Sequence, residues 1–210
     1  MNSIGGPALS SISDEHTRRY HGLLFAALKP PLGRTLMVGK VDETAHYAGS
    51  RYALGTNHWE SGSIDPQGYT HIEHFRLEGT IPVWTFAIGD ALLEKRVWMQ
   101  MGANTTYVQY LLARGTEKLE LDLRVLVNYR DYHSDTHAGD WQMNVESVKN
   151  GLKVTAFDGA TPMYLFSDHA EVKARHDWYR GYFLSVEAYR GLGATDDNLQ
   201  AGEFKADLEF

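Results

Sequence analysis

Between residues 119 and 127 the chain alternates like an extended strand. Leu119, Leu121, Leu123, Val125 and Val127 are aliphatic, while Glu120, Asp122 and Arg124 fall between them. Side chains separated by two residues share one face only in a β-strand, so this segment is a strand with one buried face. A strand of this kind has to pair and pack, and much of the remaining chain reads as its partners.

Residues 81–88 and 92–99 are strand-like runs joined by Gly89-Asp90, which predicts a hairpin. A turn at Gly102, Ala103, Asn104 and Thr105 leads into a third run, 107–112. Residues 141–148 and 152–157 flank Lys149-Asn150-Gly151, where Asn-Gly predicts a tight type I′ turn. Residues 71–77, 163–166 and 179–189 each read as a further strand. Upstream, the apolar run 23–28 is separated from residues 36–43 by Lys29-Pro30-Pro31-Leu32-Gly33-Arg34, which ends one strand and turns the chain. Residues 43–69 read as one or two short strands and a long loop, anchored by Tyr52, Trp59 and Tyr69. Residues 128–141 read as a polar, aromatic loop, and the stretch from Gly191 onward as a Gly- and Asp-rich tail. There is no repeat and no long amphipathic helix. The fold class is all-β, with antiparallel sheets closed as a sandwich or barrel.

Charge and composition exclude several function classes. With 27 acidic against 20 basic residues the net charge is −7, which repels nucleic acid and anionic membranes and leaves neutral ligands unaffected. No cysteine is present, so disulfide and thiolate chemistry are absent. The first residues lack the basic head and apolar core of a secretory signal, and no apolar run reaches the length of a membrane span; the cytoplasm is the expected compartment.

Two clusters draw attention as binding residues. Arg18, Arg19, Tyr20 and His21 combine paired guanidiniums with aromatic faces, which suits a polyhydroxylated ligand or a carboxylate-rich surface. Asn128, Tyr129, Arg130, Asp131, Tyr132 and His133 supply stacking rings and hydroxyl-binding groups together. Three readings stay open for both: contact with a sugar, docking against another domain, and a structural role, which for Arg18 and Arg19 is a pair held by carboxylates across a domain seam and for residues 128–133 a satisfied surface loop. Tyr52, His58 and Trp59 form a weaker aromatic candidate. His71-x-Glu73-His74 has the wrong spacing for a helical zinc motif, and His133 with His137 lacks a third ligand, so no metal and no cofactor is expected.

Asn2-Ser3-Ile4-Gly5-Gly6, the run from Thr17 through Arg18, Arg19, Tyr20, His21 and Gly22 to Leu24, Pro30-Pro31-x-Gly33-Arg34 and Asp42-Glu43 resemble the N-terminal domain of the bacterial and archaeal type of glycogen debranching enzyme. The resemblance continues through Gly102 to Thr106, Asn128 to His133, Glu187-x-x-Arg190-Gly191, Asp197 and Gly202-x-Phe204. It departs at Pro7 to Ser11, where the family carries a glycine-rich stretch. The resemblance implies that residues 1–210 form one supersandwich domain, similar to galactose mutarotase and to glucoamylase N-terminal domains. It also implies that the amylo-α-1,6-glucosidase site lies in a C-terminal (α/α) barrel beyond this chain. On that basis the expected partners are the barrel and a shared α-glucan, and the domain itself is non-catalytic, although its 27 acidic residues single out no pair. Two alternatives remain. One is a mutarotase-like sugar epimerase using His21, His71, His74 or His133 as a base. The other is a docking or homodimerising module with Tyr182, Phe183 and the Pro30-Pro31 corner as exposed apolar surface.

Overall fold

The structure, a computed structural model, describes residue 3, residues 5–30 and residues 32–210; Asn2, Ile4 and Pro31 of the motifs above fall outside these. In chain order the strands are β1 (Leu24–Lys29), β2 (Leu32–Tyr47), β3 (Ser50–Ala53), β4 (Thr56–His58) and β5 (Ile64–Gln67). After a 3-10 turn at Gly68–His71 come β6 (Ile72–Glu78), β7 (Ile81–Ile88), β8 (Ala91–Met99), β9 (Thr106–Arg114) and β10 (Leu119–Asp131). The last are β11 (Asn144–Val148), β12 (Gly151–Thr155), β13 (Met163–Phe166), β14 (Glu171–Phe183) and β15 (Thr195–Leu208), with one short helix, α1 (Ser185–Tyr189), ahead of β15.

The main layer has the order β1-β2-β10-β15-β14, with β3 added to β2. Its inner face follows the alternation of β10. Leu121 stands opposite Ala45 and Ala206, and Leu123 opposite Glu43 and Phe204. Two smaller sheets share that face. The β6-β7-β8-β9 meander covers one part, with Lys95 and Tyr110 reaching Glu43. The β11-β12-β13 sheet covers another, with Leu152 lying where a Cβ on Gly202 would be. One continuous core links these three sheets, from Phe86, Ile88 and Leu93 through Leu121 and Val127 to Leu152 and Met163, and β4 and β5 pair as a separate two-stranded sheet. The architecture is an all-β antiparallel sandwich, as expected, and not a barrel. No helix among the described residues is long and apolar enough to cross a membrane.

Several expectations need correction. The type I′ turn is not formed: Val148 pairs with Gly151, so the loop residues are Lys149 and Asn150, and only Asn150 takes a positive φ, at 61°. Gly151 is needed for close approach instead, because a Cβ there would collide with the Leu165 carbonyl oxygen. Residues 43–69 are more regular than a long loop, since β2 continues to Tyr47 and β3, β4 and β5 follow. Residues 184–189 are not strand. Gly181 takes φ +76° near the end of β14, and the chain then coils into α1. The Gly- and Asp-rich tail contains β15, an interior strand of the main sheet. Tyr182 is buried, its ring centre 4.7 Å from that of Trp59 at a tilt of 34°, and so is no exposed docking residue. Pro30 is exposed at the β1–β2 corner.

Candidate functional site

The strand character of β10 persists past Val127. Arg130 pairs with Leu36 and Asp131 with Thr35, so the predicted loop starts only at Tyr132. Asn128 is consequently an interior residue. Its amide donates to the Asp197 carbonyl at 2.8 Å and to Asn198 Oδ1 at 3.2 Å, and its Oδ1 accepts from the Thr136 hydroxyl at 2.7 Å. Arg130 is buried too, with Nε and Nη2 on Asp196 at 3.1 and 3.0 Å. Burial outweighs that cation and pushes the Asp196 carboxyl up to about 6.

Arg130 also donates from Nη2 to the Arg19 carbonyl at 2.7 Å, which joins the two clusters. Arg19 returns the connection: Nη1 donates to the His133 carbonyl at 2.6 Å and Nη2 to the Gly193 carbonyl at 3.1 Å. Its charge is balanced by Asp135 at 3.4 Å and Glu187 at 3.8 Å. Glu187 is fully buried on α1 and also receives Arg18 at 3.5 Å and Arg190 at 3.3 Å. An arginine pair held by carboxylates is therefore an accurate description of Arg18 and Arg19, although the carboxylates belong to this same domain.

With the backbone clamped, an edge of side chains is left facing outward. The Tyr20 hydroxyl and His133 Nδ1 are 3.1 Å apart, and the Tyr20 ring lies 4.6 Å from that of Tyr132. The Arg18 guanidinium sits 5.1 Å over Tyr20, and Arg34 sits 5.6 Å over Tyr132. Asp131 is exposed and accepts the His133 backbone N–H at 2.9 Å, which shapes the turn. His21 and Tyr129 do not join this edge. Thr17 N–H donates to His21 Nδ1 at 3.2 Å, and burial lowers the pKa of that imidazole. Tyr129 points toward Phe157, with ring centres 5.3 Å apart. The surface that remains consists of Arg18, Tyr20, Asp131, Tyr132 and His133. It offers stacking faces and hydrogen-bond groups, while Glu187 and Asp196 are buried against arginines.

The chain matches, over residues 1–210, the family model described as glycogen debranching enzyme N terminal. It belongs to that family. Comparisons with curated proteins and with solved structures returned no match.

A second constellation in this debranching-enzyme N-terminal domain escaped the sequence analysis. Lys40 Nζ contacts Asp14 at 3.2 Å and Asp42 at 3.1 Å, and Lys95 Nζ contacts Glu43 at 2.6 Å and Asp14 at 3.8 Å. The Tyr110 hydroxyl donates to Glu43 at 2.6 Å, and the Asn57 amide to Asp42 at 2.7 Å. Burial opposes the charge on Lys40, yet Asp14 and Asp42 outweigh it and raise its pKa. Burial pushes the Glu43 carboxyl up, against the pull of Lys95. Asp14 reaches both lysines from a φ of 61°, a left-handed conformation uncommon outside glycine. A sequence signal existed: Lys95 shares its strand face with Leu93 and Val97, the parity of the core.

The histidines considered for sugar epimerisation are dispersed. His71 packs on Tyr52 and His133 on Tyr20, and His74 is exposed. Where a histidine does face a carboxylate in a groove it is His46, 3.1 Å from Asp122, on the open face of the main sheet. That groove measures about 410 Å³ and includes Arg124, Glu203 and Lys205. His46, Glu120 and Asp122 bring ligand atoms within 4.8 Å of one another, but Lys205 Nζ already stands 2.7 Å from Glu120 and balances the site. Trp59 donates to the Asp65 carbonyl and acts as an anchor of its loop, and His58 is bound to Glu15 at 2.9 Å.

Proposed function

We propose that this domain is a non-catalytic part of a glycogen debranching enzyme. Its Arg18, Tyr20, Tyr132 and His133 edge packs against a C-terminal (α/α) barrel and lines the rim of the α-glucan cleft there. A storage glucan of the cell interior makes the cytoplasm its compartment.

One observation carries this reading. Two clusters 111 residues apart meet through Arg130 and Arg19, whose guanidiniums bond backbone carbonyls and so hold the aromatic edge in place. A surface fixed before it meets its partner loses little entropy on docking. Hydrolysis of a glycosidic bond takes two carboxyl groups flanking it, about 5–5.5 or 6.5–9.5 Å apart. Beside this edge Asp135, Glu187 and Asp196 are instead engaged by Arg18, Arg19, Arg130 and Arg190, and Asp131 accepts the His133 backbone N–H.

The test combines this chain with a separately produced debranching barrel. The chain alone is expected to release no glucose from a branched dextrin. The Tyr20→Ala/His133→Ala variant is expected to weaken association with the barrel and to raise KM about tenfold with kcat largely kept, the signature of lost uniform binding. Unchanged association and KM would refute the edge as an interface.

A further inference from the structure

We propose that the outward face of the β11-β12-β13 sheet is a second α-glucan site, with Tyr164 and Phe166 as a stacking platform for pyranose rings. The proposal rests on the glucan reading above for its ligand class, but it concerns a different sheet and different residues.

On β13 the burial alternates: Met163 and Leu165 enter the core, while Tyr164 and Phe166 are 51% and 62% exposed. Their ring centres are 5.7 Å apart and their planes lie within 10° of parallel, so the two rings stack on each other and each keeps one outer face. Two large aromatic residues side by side in water lose the burial that normally repays them. β13 is an edge strand, so one flank of the pair has no neighbouring strand. On the other flank Tyr164 stands beside Lys153, and Lys153 beside Glu146 on the next strand. Lys153 Nζ and Glu146 Oε2 are 2.9 Å apart, a donor and an acceptor held at the margin of the rings. Phe166 stands beside Gly151, where a Cβ would approach its Cδ1 to 2.7 Å, so glycine lets the ring settle close over the backbone.

This arrangement matches the chemistry of a glucosyl unit. A pyranose presents C–H groups on its faces and hydroxyls around its rim. The faces are buried by stacking on an aromatic ring, and the rim needs donors and acceptors at the margin. Each ring keeps one outer face for a glucosyl unit, and each contact can be weak when a branched polymer offers many ends. A neutral polysaccharide is also indifferent to the net charge of −7. Such a site would keep the domain on its polymer while the edge at Tyr20 and His133 serves the cleft.

The test is native gel electrophoresis of the full chain with glycogen cast in the gel, backed by titration with maltoheptaose. Glycogen is expected to retard the wild type, and Tyr164→Ala/Phe166→Ala to raise the apparent dissociation constant about tenfold or more. Tyr164→Phe, which keeps the ring, and Tyr189→Ala, which removes an exposed ring on α1 outside both surfaces, are expected to remain retarded. Circular dichroism on each variant separates lost binding from lost folding. Equal retardation of Tyr164→Ala/Phe166→Ala and wild type would overturn the platform, as would a folded wild type that glycogen does not slow. A change confined to the sedimentation of Tyr164→Ala/Phe166→Ala would overturn it too, assigning the rings to self-association. None of these outcomes touches the edge reading, which stands or falls on association and KM with the barrel.

Discussion

Asp196 carries its carboxylate into the interior opposite Arg130, and that placement makes it sensitive to pH. Its pKa, pushed up to about 6 by burial, exceeds the ordinary aspartate value, so the folded chain keeps a proton that the unfolded chain releases. Its contribution to stability is full below about pH 4 and is lost as pH rises through about 6. Asp196→Asn removes this slope. On acidification from pH 7 to pH 4 the variant should gain less stability than wild type by about 2 kcal/mol, as read from urea unfolding across pH. His16 acts in the opposite sense. Burial, reinforced by Lys40, holds its pKa well below the ordinary imidazole value, so the unfolded chain takes up a proton below about pH 6.5 that the folded chain refuses. Stability from this residue is present above that pH and lost on acidification, and His16→Gln should flatten the loss. Neither effect was legible in residue types alone. Asn128 and Arg130 look like sugar-binding groups in a list of residues, and only their strand pairing and burial show that they hold the backbone instead.

At the scale of elements, local pattern and long-range partnership separate cleanly. The meander β7-β8-β9 was legible because each strand pairs with its neighbour through a short turn and carries its own alternation. β15 was not, because Asp196, Asp197, Asn198 and Gln200 replace apolar residues on a strand that lies between β10 and β14. Their hydrogen bonds explain how such a strand is tolerated in the interior. Asp197 accepts the Gly181 N–H on β14 and the Ala138 N–H of the loop after β10, both at 2.8 Å. Partners 16 and 59 residues away leave no local signature. Asp197→Ala should strip both amides of their acceptor at a cost of about 1–3 kcal/mol each. Hydrogen exchange at Gly181 and Ala138 should then accelerate ahead of exchange in β7 and β8; uniform acceleration would count against so local a role. The break between β14 and α1 was hidden for a different reason. Tyr182, Leu184, Val186 and Ala188 keep a period of two, but Gly181 at positive φ and the demand of Glu187 for three arginines turn the chain out of the sheet.

For the whole molecule, alternation establishes that the chain is all-β but does not state which sheets face one another. That information sits in the Glu43–Lys95 contact, which crosses from the main sheet to the meander. Removing one member of a buried pair leaves the other uncompensated, so Lys95→Met should cost about 3–5 kcal/mol. Glu43→Gln/Lys95→Met should recover much of that, since the amide oxygen of the introduced glutamine would still accept from Tyr110 without carrying a charge. A double-mutant cycle measured by urea unfolding checks this, and additive losses would show that the pair does not couple the layers. The Tyr20–His133 edge follows the same division. Its residues were visible in the sequence as two clusters, but their convergence depends on β2 pairing with β10, a contact no local motif specifies.

The N-terminal segment has a consequence for how the chain is made. Arg19 bonds the carbonyl of Gly193, 174 residues further on, Asp14 meets Lys95, and Ile12 accepts from Trp84. A ribosome delivers Ile12, Asp14 and Arg19 well before Trp84, Lys95 and Gly193, so these residues emerge long before those contacts can form. During synthesis the nascent chain carries Arg19 and Asp14 hydrated and unmatched, and closure of that end belongs after Gly193 has left the exit tunnel.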